Sequence, residues 1–126
     1  MPSLEPHLSQ NQRVHFSKQG PLKGMTFVGR ETSGEVHIGF AITNPNDVGS
    51  EDEGYLIADH RLRKHPNYPF RHRSWTTDTG LKVHFYEPRE WPWRLRTTRR
   101  DRKFRLMALE KMGVPVEAPK GKTNNG

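Results

Sequence analysis

At 126 residues the chain has room for one domain. Only 31% of it is apolar, against roughly 45–50% in ordinary globular domains, and it carries 11 glycines and 10 prolines. A large core is therefore excluded, and a small core with irregular arms ordered by a partner is expected. The formal charge of +7 points to an acidic partner, whether nucleic acid, an anionic membrane surface or an acidic protein. With no cysteine there is no disulfide framework and no thiolate site. No apolar run approaches the roughly 20 residues that span a bilayer, and the first eight residues lack the basic and apolar regions of a secretory signal.

Residues 1–20 read as an extended N-terminal arm, in which Val14 and Phe16 alternate with His15 and Ser17 as a short edge strand. Residues 21–97 read as a small β-rich core. In it, Met25 to Val28 and the strictly alternating Val36, Ile38, Phe40 and Ile42 flank a turn at Gly34, which predicts a hairpin. The stretch 43–54 holds Asp47, Glu51, Asp52 and Glu53 and reads as a solvated acidic loop, or as a clamp onto the chain's own basic segments. Tyr55 to Ala58 is an apolar run compatible with strand or helix. Residues 61–73 carry Arg61, Arg63, Lys64, Arg71 and Arg73 with Pro66 and Pro69, and read as an extended basic arm interleaved with Tyr68 and Phe70.

A second hairpin is predicted from Trp75-Thr76-Thr77 and Leu81 to Tyr86 around Asp78-Thr79-Gly80. A helix is expected over 98–113, with Thr98 as N-cap, Phe104, Met107, Ala108 and Met112 on one face, and Gly113 and Pro115 ending it. Residues 114–126 are expected to be an extended tail. The fold class is thus α+β: a small antiparallel core of two hairpins, extended basic arms and one C-terminal helix.

The seven histidines show no metal-ligand spacing; His60 and His65 lie five apart, and no His-Glu-x-x-His pattern occurs. There is no nucleophile elbow, phosphate-cradling loop or dinucleotide fingerprint. No catalytic residue, metal or cofactor is expected, and no small-molecule substrate. The densest stretch runs from Glu87 to Met112, where Arg89, Arg94, Arg96, Arg99, Arg100, Arg102, Lys103 and Arg105 surround Trp91 and Trp93. Trp and Arg are the side chains most often found as binding hot spots. The candidate partner-binding set is Trp75, Trp91 and Trp93 with Arg71, Arg73, Arg89, Arg94, Arg96, Arg99 and Arg100. Pro92 stands between two of these tryptophans. An extended backbone there sends their rings to opposite sides, one onto the chain's own hairpin and one into a partner. Two kinds of partner fit: acidic protein surfaces and anionic lipid head groups, or the RNA of an organellar ribosome or other ribonucleoprotein.

The order of short motifs resembles the mimitin-like family of mitochondrial complex I (NADH–ubiquinone oxidoreductase). The residues that carry it are Leu22-Lys23-Gly24, Val28-Gly29-Arg30-Glu31 before Gly34, Arg71-His72-Arg73-Ser74-Trp75, and Pro88-Arg89-Glu90-Trp91-Pro92-Trp93. That resemblance implies a non-catalytic accessory subunit or assembly factor of the respiratory chain. It would lie on the matrix side of the inner mitochondrial membrane and stabilise the matrix arm near its junction with the membrane arm. It would carry no cofactor and transfer no electrons.

Overall fold

The structure is a computed structural model and describes residues 12–20, 22–44, 46–92 and 98–114; of 98–101 it describes the backbone only. Five strands, β1 (Gln12–Phe16), β2 (Met25–Thr32), β3 (Glu35–Ile42), β4 (Phe70–Thr76) and β5 (Lys82–Pro88), form one sheet in the order β1-β2-β3-β5-β4. Helix α1 (Ser50–Leu62) joins β3 to β4, and α2 (Thr98–Met112) follows β5. The chain is α+β, as expected. Both hairpins form, with Val28 opposite Gly39 in the first and Arg73 opposite Phe85 in the second. Val14 pairs with Val28 in β1, so the segment read as an edge strand is one. The two hairpins meet along β3 and β5, which run parallel, with His37 beside His84 and Ile38 beside Phe85.

Strand alternation divides the side chains between two faces. One face carries Met25, Phe27, Val36, Ile38, Phe40, Val83 and Phe85, all buried, and α2 covers it with Phe104, Ala108 and Leu109. Phe104 packs edge-on to Phe40 at 4.9 Å and tilted to Trp91 at 4.5 Å between ring centroids. The other face carries Val28, Ala41 and Tyr86, covered in part by Ala58 and Leu62 of α1. Helix α2 ends as its sequence predicts. Gly113 takes φ +81°, and its N–H donates to the Glu110 carbonyl while the Val114 N–H donates to that of Leu109.

Two readings are corrected. The stretch read as an acidic loop turns helical at Ser50 and runs on into the Tyr55 segment, where helix was one of the two readings, as α1, whose first turn holds Glu51, Asp52 and Glu53 at the positive end of its dipole. As a clamp these acids do little: Glu51 stands 4.0 Å from Lys18, both side chains exposed. The helix escapes periodicity analysis because its buried stripe is Ser50, Gly54, Ala58 and Leu62, three small residues and one leucine. Small residues are the condition for the close approach. A Cβ at Gly39 would collide with the Ala58 carbonyl and with Leu62, and one at Gly54 with the Thr26 side chain.

Residues 61–73 are likewise no extended arm. The segment ends α1, reverses at Lys64 with φ +61°, and becomes β4 at Phe70. Arg61 pins the reversal, its guanidinium donating to the carbonyls of Phe40 at 2.9 Å and Pro69 at 3.1 Å. The charge of Arg61 is spent on backbone acceptors and that of Arg63 on Asp59, which composition alone does not show.

Gly39→Ala is expected to cost about 1–3 kcal/mol, because the new methyl meets helix backbone that has to move. Gly54→Ala should cost less: its obstacle is a single threonine side chain, and a helix-interior alanine recovers about 0.5–1 kcal/mol of propensity. Urea denaturation of the two variants checks the ranking.

Candidate functional site

The candidate residues of β4 share one face. Arg71, Arg73 and Trp75 alternate with outward-turned neighbours and lie opposite Glu87, Phe85 and Val83 of β5. Strand β4 is one of the two edge strands of the sheet as described, β1 being the other. Trp75 is half-buried against Phe85, with 6.4 Å between centroids. A cleft of about 320 Å³ opens there, lined by Arg73, Ser74, Trp75, Phe85, Arg102 and Arg105. It joins the strand's arginines to those of α2, which the sequence separates by about thirty positions.

The cleft is held by Glu87, whose side chain is fully buried. Arg105 grips it with Nε at 2.5 Å and Nη2 at 2.9 Å, a two-point contact that fixes the guanidinium plane. Arg73 reaches the same carboxylate at 3.3 Å from the edge strand. Arg105 also lies 5.3 Å from the Phe104 ring centroid. Arg102 is exposed and Arg73 half-exposed, so the mouth of the cleft is cationic and its floor aromatic, and the exposed Arg71 stands two residues before Arg73 on the same face of β4.

The remaining candidates divide. Trp91 belongs to the chain's own core, against Phe104. Arg89 is exposed just after β5. Arg99 and Arg100 stand in the first turn of α2, with only their backbone described, and Trp93, Arg94 and Arg96 lie outside the described residues. The structure adds Arg102 and Arg105 to the set. Their place in the basic run was visible, but their convergence on Trp75 depends on how α2 crosses the sheet.

On the opposite face a second constellation forms that spacing does not reveal. His37 of β3, His84 of β5 and His72 of β4 stand side by side, with ring centroids 4.6 Å and 5.2 Å apart and planes within 16°. His84 Nε2 lies 2.7 Å from Glu35 Oε1, and His84 Nδ1 lies 3.0 Å from His72 Nε2. His37 Nδ1 meets the Tyr86 hydroxyl at 2.9 Å. Lys64 projects over Tyr86, its Nζ 5.6 Å from the ring centroid. Burial pushes His37 and His72 below the ordinary histidine range, with His84 adding to both, while the hydrogen bond from His84 holds the Glu35 carboxyl low. Burial raises Tyr86, so its phenol stays protonated. His60 and His65, the pair noticed in the sequence, lie elsewhere, packed on each other and on Tyr68.

No family model matches the chain, and neither a curated protein nor a solved structure matches it significantly.

Two predictions follow from these contacts. Arg105→Met leaves a buried carboxylate facing only the half-exposed Arg73, and should cost about 3–5 kcal/mol. Glu87→Gln leaves two arginines that can turn toward water, and should cost less; thermal melts of both variants test the order. The second concerns acidification of metal-free protein. An unfolded histidine titrates near 6.5, whereas His37 and His72 resist protonation in the fold. The unfolded state therefore binds protons first, and stability falls as pH drops below about 6.5. The lowered Glu35 acts in the same direction at more acidic pH. Urea midpoints in the presence of a chelator should decline from pH 7.5 to 5.5, and the slope should flatten in His37→Gln.

Proposed function

We propose that this chain is a non-catalytic binding component of a larger assembly, docking an acidic surface against β4 and the cleft beside it. The observation that carries this reading is the convergence of Trp75, Arg73, Arg102 and Arg105 at one cleft beside the edge strand β4, with Arg71 on the same face of that strand. Trp75 supplies a rigid aromatic floor and the arginines supply planar forks that match carboxylates two at a time. Glu87 sets the orientation of two of those forks before a partner arrives, so less freedom is lost on docking. The basic edge also discourages self-pairing of the sheet, a use compatible with binding.

Within that reading, the motif order of residues 22–105 supports the narrower assignment to mitochondrial complex I, as an accessory subunit or assembly factor on the matrix side. Among the described residues no helix is long and apolar enough to cross a membrane. A peripheral position against protein surfaces or lipid head groups accords with that.

Native-gel mass spectrometry of the tagged full chain tests the assignment, with co-migration with complex I as the expected result. Arg71→Glu with Arg102→Glu should reduce co-migration at least about tenfold, since repelled charges at an interface cost several kcal/mol, while leaving the melting temperature nearly unchanged. Co-migration with a ribosome overturns the reading. So does tight RNA binding whose logarithm falls by about 0.7 per contact against log salt.

A further inference from the structure

We infer that Glu35, His37 and His84 form a binding site for a borderline divalent cation of the zinc class, with His72 orienting His84 and Tyr86 orienting His37. The site sits on the opposite face of the sheet from the docking cleft and is independent of it.

One ligand atom from each of Glu35, His37 and His84 lies within 4.8 Å of the other two. Ligands at roughly 2.0–2.2 Å around a tetrahedral ion sit roughly 3.4 Å from one another, so closure needs side-chain movements of about 1 Å. The donor set of two imidazoles and one carboxylate suits zinc and its neighbours and leaves a position open for water. Magnesium and calcium prefer all-oxygen shells and would be bound poorly.

The surroundings match what a ligating imidazole requires. Such a ring needs its second nitrogen held by a neighbour, which fixes both its tautomer and its plane. His84 has that partner in His72 Nε2, and Tyr86 anchors His37 through Nδ1. With the ion in place, Glu35 exchanges its hydrogen bond from His84 for the metal. The His84 proton then resides on Nδ1 and is donated to His72. The ligands come from neighbouring strands in fixed register, Glu35 and His37 two apart on β3 and His84 beside His37 on β5. Helix α1 ends at Leu62, leaving this part of the sheet open: the Glu35 side chain is 44% exposed and His84 14%. Against the ion stand Lys64, over Tyr86, and Lys82, opposite Glu35. Their charge weakens cation binding, so removing Lys64 should strengthen it.

Zinc titration of the full chain after chelator treatment, followed by calorimetry, tests the site. One ion per chain is expected. His37→Ala and His84→Ala should each weaken binding at least about tenfold, and His72→Ala by about 10–100-fold through its hold on His84. Lys64→Gln should tighten binding several-fold, and His60→Ala/His65→Ala should leave it unchanged. Glu35→Gln, at an exposed side chain, keeps the test valid if a histidine variant fails to fold, and it too should weaken binding. Cobalt substitution should give visible absorption bands that disappear in His84→Ala. Failure of the wild-type chain to bind zinc overturns the inference. So does binding that survives His37→Ala/His84→Ala or vanishes in His60→Ala/His65→Ala.

Discussion

The buried carboxylate of Glu87 is the contact on which the rest of this structure depends. It stands on β5, and its two partners come from the outer strand β4 and from helix α2. A carboxylate without water is costly, so whichever element supplies its counter-charge is drawn to a fixed place. Arg105 thereby sets where α2 crosses the sheet, and Arg73 ties down a strand whose other edge is open. Phe104 then falls between Phe40 and Trp91, and the large-residue layer closes around it. The cationic cleft is a by-product of the same arrangement. One carboxylate cannot neutralise Arg71, Arg73, Arg102 and Arg105, and the surplus charge faces outward.

The two faces of the sheet are covered by different means. On the α2 side the contact is made by phenylalanine, leucine and methionine, which fill the space between helix and sheet. On the α1 side Gly54 and Gly39 let helix and strand approach until backbone nearly meets backbone. Such a contact buries little apolar area, which explains how a chain only 31% apolar closes a three-layer fold. It also covers only part of the face. Beyond the end of α1 the sheet is roofed by three imidazole rings in a row, where polar side chains tolerate both water and each other.

Surfaces of different character thus occupy the two faces of one sheet, a cationic aromatic cleft on one and a row of imidazoles on the other, with alternation along β4 and β5 assigning their residues. Arg71, Arg73 and Trp75 go to one side while His72 goes to the other; Phe85 and Glu87 face the cleft while His84 and Tyr86 face away. A slip of one residue in the β4–β5 register would mix the two sets. The hairpin turn at 77–81 guards against this. The Thr77 N–H donates to the Leu81 carbonyl, and the Leu81 N–H to the Thr77 hydroxyl.

What the sequence determined by itself was local. Alternation at Val36 to Ile42 and at Leu81 to Tyr86 specified the hairpins, and the Phe104–Met112 spacing with Gly113 specified α2, because each signal is written by neighbours in the chain. Helix α1 was legible only as one of two readings of the Tyr55 run, since its buried stripe is mostly small residues whose role exists only against Gly39 and Thr26. The Trp75 cleft and the histidine row were illegible for a related reason. Arg73 and Arg105 meet through Glu87, and His37, His72 and His84 meet across three strands, one pairing of which is parallel. Such encounters are fixed by the order in which strands pair and by a helix crossing, and no window along the chain contains them.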